Sequence, residues 1–223
     1  MLDPKPAGFH NAAHPSPRNT FMITDIFLVI GAYLIGSVSS AIIVCRIMGL
    51  PDPRTQGSNN PGATNVLRIG GRKAAAVTLI GDWLKGLLPM LAGHLLGVSA
   101  TTLAAIGLAA FFGHLYPVFF GFRGGKGVAT ALGVQFGLAL PVGLSVGAIW
   151  LFMAYVVNIS SLSALVSMAL APAVVWYFVA DPWLVGMQTV VTLVLFWRHR
   201  SNIRNLVSGA ENRIRDEDGP GTG

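Results

Sequence analysis

One feature of the sequence limits the fold more than any other: from Gly127 to Ala180 no residue carries a charge. This uncharged stretch is 54 residues long, whereas about 20 apolar residues suffice to cross the hydrocarbon core of a bilayer. Only 11% of the whole chain is charged, against about 25% in an ordinary soluble domain. The sequence therefore predicts a membrane protein and excludes both a disordered chain and an ordinary water-soluble globule.

Four further apolar runs predict additional membrane spans, since each approaches the length needed to cross the bilayer. The first, residues 26–45, is an uncharged run of 20 residues. The residues before it include an aspartate, prolines and histidines, and no small-residue cleavage site closes the run, so it is not a cleaved signal peptide. The other three runs cover residues 74–98, 100–121 and 182–197.

These runs predict a single integral-membrane domain over residues 21–206. Residues 1–20 form a loose extension in this interpretation, and residues 207–223 form a polar cytosolic tail. Cys45 is the only cysteine, so no disulfide can form within the chain and no pair of thiolates can bind a metal ion. Carboxylates are not clustered either, and the sequence predicts no metal and no cofactor.

The distribution of lysine and arginine predicts which segments face the cytoplasm, where these residues collect in membrane proteins. Three segments carry most of them, namely residues 49–73, residues 122–126 and the tail from Arg198 onward. The short connections near residues 97–101 and 140–142 carry no charge, so we expect them outside. If all three basic segments lie inside, an even number of crossings separates Lys126 from Arg198.

The run 182–197 accounts for one of these crossings, so the uncharged stretch must hold an odd number, and three suits its length better than one. Breaks at Pro141–Gly143 and Asn158–Ser161 would divide it. The sequence then predicts an all-α membrane bundle of about seven transmembrane helices, with the N-terminus outside and the C-terminus cytosolic. The alternative is five helices, with residues 127–157 forming one long tilted helix.

The first basic segment contains a loop that could hold an anion. Residues 52–65 read DPRTQGSNNPGATN, with two glycines and several hydroxyl or amide side chains. Glycine and asparagine tolerate positive φ, so successive N–H groups could point into one concavity, and Arg54 adds a planar cation suited to phosphate. An ordinary turn-rich connector would have the same composition, and composition alone favours neither interpretation.

The second basic segment resembles a phosphate cradle in general design. Residues 121–130 read GFRGGKGVAT, in which three glycines surround Lys126 and Thr130 follows where a helix resumes. The spacing is not that of a Walker A motif, so nucleotide hydrolysis is disfavoured. The alternative is a positively charged turn that anchors the chain at the membrane surface.

Several polar residues within or beside the apolar runs are candidates for chemistry. Asp82 and Lys85 lie three residues apart on one helical face, where they form either a mutually neutralising structural pair or a direct substrate contact. His114 and His199 are each a possible general base or phosphate partner. Ser37 lies in an apolar helix, where a hydroxyl most often bonds back to its own turn.

Taken together, these segments resemble the bacterial acyl-phosphate:glycerol-3-phosphate acyltransferases, the PlsY family, from about Gly31 to Leu206. Three long motifs carry the resemblance, namely Gly36-Ser37 with residues 52–65, the segment Asp82 to Gly86, and residues 113–130. Ser161, Arg198-His199 and Asn202-Ile203 match as well. One departure is Asn59, which stands where the family usually has glycine; asparagine also enters left-handed backbone space, so the loop could keep its shape.

The resemblance implies transfer of a fatty acyl group from acyl-phosphate to glycerol 3-phosphate, which gives lysophosphatidic acid and phosphate at the cytosolic face of the bacterial inner membrane. By position in the motifs, catalytic roles fall to Ser37, Arg54, His114, Lys126, His199 and Asn202. Substrate binding falls to Ser58, Asn60, Thr64, Asn65, Asp82, Lys85, Gly86, Gly124, Gly125, Gly127, Thr130, Ser161 and Arg198. No cofactor is implied.

The family also implies membrane lipid and a peripheral acyl-phosphate synthase as partners. The net charge of +6 could suggest nucleic acid, but its confinement to one membrane side favours anionic lipid and small phosphates instead. Two rival functions remain at this point. One is a transporter of an anionic phosphate compound, which would share buried charges and broken helices; the other is a different membrane transferase acting on a lipid phosphate.

Overall fold

The computed structural model describes residues 23–214, and within that range the regular secondary structure is entirely helical. The predicted extension over residues 1–20 lies outside the described residues. A short 3-10 helix, Val118–Phe120, follows the fourth α-helix. The α-helices of the described range are α1 (Ile23–Gly36), α2 (Ser40–Ile47), α3 (Ala63–Leu95), α4 (Ala100–Leu115), α5 (Val128–Leu138), α6 (Leu140–Val157), α7 (Ser160–Val179), α8 (Pro182–Arg198) and α9 (Arg200–Ser208).

Three helices, α5 to α7, occupy the uncharged stretch. The first break falls at Ala139 rather than at Pro141–Gly143, because proline is well suited to the first turn of a helix, where its missing N–H is not needed. The second break lies at Asn158, as expected, with the residue in a left-handed conformation at φ 60°. The alternative of one long helix over residues 127–157 is therefore wrong.

The first apolar run is not one helix. It divides at residues 37–39 into α1 and α2, whose axes are bent by 41°. The second run also differs from expectation, because α3 begins at Ala63, well before residue 74, and is kinked at Gly71 with φ 76°. Part of the predicted inner loop is therefore the first turns of α3.

Glycine brings α3 and α5 into backbone contact. A Cβ atom added to Gly86 would lie 2.2 Å from the carbonyl oxygen of Thr130, and one added to Gly133 would lie 2.0 Å from that of Trp83. Small residues at a helix interface let two backbones approach closely within a membrane. The reciprocal contacts fix α5 along the middle of α3, and the hydroxyl of Thr130 donates to the carbonyl of Asp82 at 2.9 Å.

The outer surface of the bundle is that of a membrane protein. Large apolar side chains of α6, among them Leu151, Phe152 and Tyr155, are more than half exposed. Among the described helices α3, α6 and α7 are long and apolar enough to cross a membrane, as is α4 taken together with the 3-10 helix to Phe120, and the bent pair α1–α2 would be a fifth. Because α5 is only roughly 16 Å long, it cannot cross alone. The count of seven and the orientation stay predictions.

Candidate active site

Polar and cationic residues from three distant segments surround one pocket of about 400 Å³ at one end of the bundle. The end of α4, the starts of α3, α5 and α7, and the junction of α8 with α9 all lie at this end. The described residues that line the pocket are Ser58, Asn59, Asn60, Gly124, Lys126, Arg198, Arg200, Ser201 and Arg204. Residues of the first and second predicted anion loops therefore line the same pocket.

A chain of hydrogen bonds crosses one wall of this site. The ammonium of Lys126 donates to Oδ1 of Asn202 at 2.6 Å, and the amide nitrogen of Asn202 donates to Oε1 of Glu211 at 2.6 Å. The hydroxyl of Ser161, in the first turn of α7, donates to the same carboxylate oxygen at 2.7 Å. Three residues predicted to contact substrate are thus joined by one carboxylate.

The lysine of this chain lies in an unusual electrostatic setting. Burial lowers the pKa of Lys126, and the Glu211 carboxylate opposes that shift, while Arg68 and Arg198 lower the pKa further. Arg68 and Arg198 therefore lie near Lys126, and within residues 23–214 Glu211 is the carboxylate that acts on this lysine. An anion entering the pocket would relieve this repulsion, which is a direct electrostatic reason for phosphate to bind here.

Asn65 organises the first loop from the start of α3. Its buried side chain accepts from the backbone N–H of Ser58 at 2.9 Å and donates to the carbonyls of Pro53 and Gln56 at 2.9 and 3.0 Å. Asn59 has φ 55°, the left-handed conformation that the sequence analysis expected it to tolerate. The amide of Asn65 is fully engaged in shaping the loop, whereas Ser58 and Asn60 line the pocket.

Arg54 connects the first loop to the segment before the second loop, but it is not among the described residues that line the pocket. Its guanidinium makes a paired contact with the Asp52 carboxylate, with the shortest distance at 2.6 Å, and donates to the carbonyl of Phe120 at 3.1 Å. The hydrogen bonds with Arg54 lower the pKa of Asp52 and raise that of the arginine. Arg54 is therefore held beside the segment that carries Lys126, at the same end of the bundle.

The glycines of the second loop act by close packing. The N–H groups of Gly124 and Gly125 donate to the carbonyls of Leu115 and His114 at 3.2 Å each, so these two amides already have acceptors. A Cβ atom at Gly125 would lie 2.3 Å from Nε2 of His114. Only the absence of a side chain at Gly125 lets this loop lie against the end of α4. Binding of phosphate by the N–H groups of Gly124 and Gly125 stays a prediction.

Arg198 binds the backbone of the second loop from the opposite side. Its guanidinium donates to the carbonyls of Gly124 and Gly125 at 3.0 and 2.9 Å, and it lies over the ring of Tyr116 at 5.8 Å from the centroid. Gly127 follows with φ 93° and precedes the first residue of α5. These contacts hold the backbone on both sides of Lys126 and so aim its side chain towards α9.

The predicted pair Asp82 and Lys85 lies deeper, in the middle of α3. The ammonium of Lys85 is 2.8 Å from Oδ1 of Asp82 and donates to the carbonyl of Val38 at 2.9 Å, and both side chains are buried. Lys85 thus ties α3 to the break between α1 and α2. This geometry favours the neutralising structural pair over a direct contact with substrate.

Two more predicted residues surround this buried pair. His114 lies in the last turn of α4 with Nδ1 at 3.7 Å from Oδ1 of Asp82, which is beyond hydrogen-bonding distance. Ser37 lies in the break after α1, and its buried hydroxyl has no hydrogen-bond partner among residues 23–214. The expectation that this hydroxyl bonds back to its own helical turn is wrong, because the helix has ended at Gly36.

His199 lies between α8 and α9 and is almost completely buried. Its Nδ1 is 2.8 Å from the carbonyl oxygen of Leu195, and because a carbonyl only accepts, Nδ1 carries the hydrogen and Nε2 is left with a lone pair. Burial lowers the pKa of His199 to about 4. The imidazole is therefore neutral at pH 7.

The remaining predicted residues take packing or connecting positions. The hydroxyl of Thr64 is 3.2 Å from that of Ser160, which joins the first turns of α3 and α7. Gly86 and Thr130 form the close contact between α3 and α5 described above. None of these three lines the pocket within the described part of the chain.

Sequence reasoning missed Glu211 and the pocket-lining residues of α9. Glu211 was assigned to a polar tail, yet the tail turns back over the bundle, and the N–H of Ile214 donates to the carbonyl of Asn158 at 2.8 Å. One signal was present, because Glu211 is the first acidic residue after Asp181 and is surrounded by arginines. For α9 the signal was the spacing of Arg200 and Arg204, four residues apart on one helical face.

A known protein family matches this sequence. The family described as glycerol-3-phosphate acyltransferase matches residues 26–209, which is most of the chain. The chain belongs to this family. A glycerol-3-phosphate acyltransferase from Hydrogenovibrio crunogenus is 57% identical over 194 residues, covering 86% of this chain and 92% of that protein. One from Thioalkalivibrio sulfidiphilus is 56% identical over 193 residues, covering 86% and 95%.

Two crystal structures resemble the whole bundle. Both are of PlsY (YgiH), an integral membrane glycerol 3-phosphate acyltransferase, one in the glycerol 3-phosphate form and one in the lysophosphatidic acid form. They give TM-scores of 0.81 and 0.79 at 39% and 38% identity, and each covers 85% of this chain and 95% of its own. The family resemblance and the all-helical membrane fold are confirmed, and the protein is a membrane acyltransferase rather than a transporter.

Proposed function

We propose that this member of the glycerol-3-phosphate acyltransferase family transfers a fatty acyl group from acyl-phosphate to glycerol 3-phosphate. The products are lysophosphatidic acid and inorganic phosphate, and the reaction is the first step of phospholipid synthesis. Relatives carrying the acyltransferase name support the acceptor, and the PlsY structures in glycerol 3-phosphate and lysophosphatidic acid forms support both acceptor and product. The acyl-phosphate donor rests on the family resemblance of the motifs.

The observation that carries this proposal is the hydrogen-bonded chain from Lys126 through Asn202 to Glu211 and Ser161 beside the pocket. Ammonium, amide and hydroxyl groups are the donors that a phosphate ester needs, and here they converge from three segments. We infer that a phosphate oxygen takes the place of one of the acceptors in this chain of hydrogen bonds. We assign Lys126, Asn202 and Ser161 to phosphate binding on this basis.

The reaction needs no covalent intermediate on the protein. An acyl phosphate is a mixed anhydride, so the hydroxyl oxygen of the acceptor attacks its carbonyl carbon, the bond from that carbon to the phosphate oxygen breaks, and phosphate leaves. What the protein contributes is positioning of two anionic groups that repel each other and stabilisation of the charge that develops. We assign this role to Lys126, which lines the pocket, and to Arg54 by its position in the motif.

The acceptor hydroxyl also loses a proton, which we assign to the phosphate of the donor. His199 is neutral with a pKa of about 4, so it holds a proton poorly at neutral pH. Replacing His114 and His199 in turn and measuring single-turnover rates tests this assignment. Loss of nearly all activity with unchanged glycerol 3-phosphate binding in either variant would identify that histidine as the base and overturn the assignment.

The membrane supplies the remaining context. We propose that the pocket faces the cytoplasm of the bacterial inner membrane, where a lipid tail can stay in the bilayer while both phosphates reach the cationic end of the bundle. A peripheral synthase that delivers acyl-phosphate would dock at this same end. The basic residues grouped around the pocket support this orientation.

An activity assay distinguishes the proposed reaction from its rivals. Purified protein in neutral detergent is given palmitoyl phosphate and labelled glycerol 3-phosphate, and we expect equal amounts of lysophosphatidic acid and phosphate. Transfer to another phosphate-bearing acceptor but not to glycerol 3-phosphate would favour a different lipid-phosphate transferase. Failure to consume acyl-phosphate with any acceptor would contradict the proposal.

A further inference from the structure

The basic face of α9 forms a part of the pocket that the hydrogen-bonded chain does not use. Arg200, Ser201 and Arg204 all line the pocket, and their spacing places them within about 100° of helix circumference. On the other side of α9, Ile203 and Leu206 pack against the apolar core of the bundle. The packing of Ile203 and Leu206 therefore fixes which face of this short helix borders the pocket.

These two arginines differ from the cations already described. Arg198 is held by two carbonyls, and Lys126 by Asn202. The guanidinium of Arg200 donates to the carbonyl of Trp197 at 3.1 Å and lies over the Trp197 ring at 4.8 Å, which fixes it in place while other N–H groups stay available. Arg204 makes no hydrogen bond or ion pair to any residue between 23 and 214.

The opposite wall of the pocket suits a phosphate as well. It consists of Ser58, Asn59 and Asn60, whose side chains carry hydroxyl and amide groups and no negative charge. The only carboxylate described beside this end of α9 is that of Glu211, which already accepts from Ser161 and Asn202. Arg200 and Arg204 therefore have no anion of the described chain to neutralise them.

We propose that Arg200, Ser201 and Arg204 form an outer phosphate-binding subsite, separate from the inner site at Lys126 and Asn202. The subsite takes a phosphate group at the mouth of the pocket and leads it towards Lys126. This inference rests on the proposed function in one respect, that two phosphate-bearing molecules must occupy the pocket together. The phosphate group comes either from a soluble phosphate or from the headgroup of an anionic lipid.

A binding experiment isolates the outer subsite. Inorganic phosphate is titrated by calorimetry into protein that carries Lys126→Ala, which removes the main cation of the inner site, with and without Arg200→Gln and Arg204→Gln. We expect the two added substitutions to weaken phosphate binding about tenfold at low salt, equal to about 1.4 kcal/mol, and much less at high salt. The matched control is Arg46→Gln with Lys73→Gln, two exposed cations that do not line the described pocket.

The control variant tests for a general charge effect, and the lipid composition identifies the source of the phosphate group. An equal loss in the test and control variants would show a general effect of net charge and overturn the subsite. Repeating the titration in nanodiscs identifies the source of the phosphate group. A lipid headgroup is supported if phosphate binds more weakly in phosphatidylglycerol than in phosphatidylcholine and if the two arginine substitutions abolish this difference. Equal binding in both lipids supports a soluble phosphate.

The activity of the wild-type protein is measured in parallel. If it binds phosphate through α9 but forms no lysophosphatidic acid, the subsite stands and the proposed function fails. If it forms lysophosphatidic acid while the arginine substitutions leave phosphate binding unchanged, the proposed function stands and the subsite fails.

Discussion

Two lysines in this protein are each associated with a carboxylate, and they are placed in opposite ways. Lys85 and Asp82 come from one turn of one helix, lie in the middle of the bundle and contact each other directly at 2.8 Å. Lys126 and Glu211 come from segments more than 80 residues apart, and the amide of Asn202 separates them. The first pair is closed, whereas the second borders an open pocket.

The two lysines differ in whether a substrate oxygen can replace the group that each now contacts. A buried charge inside a membrane bundle is stable only when its partner is fixed, so Lys85 has no freedom to bind a substrate oxygen. Lys126 bonds to a neutral amide, which a phosphate can displace with a gain in attraction. We therefore expect Lys85 to serve cohesion and Lys126 to serve binding, and the following predictions test that separation.

The largest expected effect is on the closed pair. Lys85→Ala leaves the Asp82 carboxylate buried without its cation, and breaking a buried pair in this way typically costs about 3–5 kcal/mol. We expect a large fall in the yield and thermal midpoint of folded protein in detergent, measured by the loss of a monodisperse peak on heating. The double variant Asp82→Leu with Lys85→Met should recover most of the midpoint, and a double variant as unstable as the single one would contradict the interpretation of a closed pair.

The next effect is on the open site. Lys126→Ala should lower kcat/KM roughly 100- to 1000-fold, since removing one preorganised donor from developing charge has effects of that size. The thermal midpoint should stay close to that of the wild type, because within the described residues the lysine bonds only to Asn202. Exposed Lys73→Ala is the control for lost charge. Collapse of the fold in Lys126→Ala would place this lysine in the same class as Lys85.

A smaller effect is expected at the carboxylate. Glu211→Gln keeps an oxygen acceptor for Ser161 and Asn202 but removes the charge that opposes the lowered pKa of Lys126. We expect about a tenfold loss of kcat/KM, equal to about 1.4 kcal/mol. Glu211→Ala also removes the acceptor and should lose more. Equal activity of Glu211→Gln and wild type would show that the charge at residue 211 has no part in the site.

The smallest effect is expected in the pocket wall. Asn59→Gly restores the residue usual in the family at a position with φ 55°. Glycine relieves the left-handed backbone strain of the folded state, which raises stability, but it also gives the unfolded chain more freedom, which lowers it. Stability should therefore change by less than about 1 kcal/mol. Activity should change less than twofold in the same acyl-transfer assay. A large gain in glycerol 3-phosphate affinity would show that the asparagine side chain obstructs the phosphate.

The sequence predicted those features of the fold and the site that depend on residues close together in the chain. The all-helical membrane fold and the three helices of the uncharged stretch followed from charge and apolar runs, and the pairing of Asp82 with Lys85 followed from helical spacing. The use of the Gly124 and Gly125 amides could not be read in the same way, because it depends on how the loop packs against the end of α4.

Glu211 escaped prediction for a related reason. Its position depends on the chain reversing after Gly209, whose φ is 72°, and on the backbone contact of Ile214 with Asn158. Such a reversal depends on contacts between segments far apart in the chain, so no local pattern indicates it. The break at Ser37 is similar, since the apolar composition on both sides of it favours a continuous helix.

The location of Glu211 has a consequence for biogenesis. Glu211 follows the last residue of α9, Ser208, in the chain, so its carboxylate can reach the site only after the last described helix has been made. During synthesis Asn202 and Ser161 must wait for their common acceptor. A protease cut just before residue 211 would therefore leave helices α1 to α9 intact and remove the acceptor that Ser161 and Asn202 share.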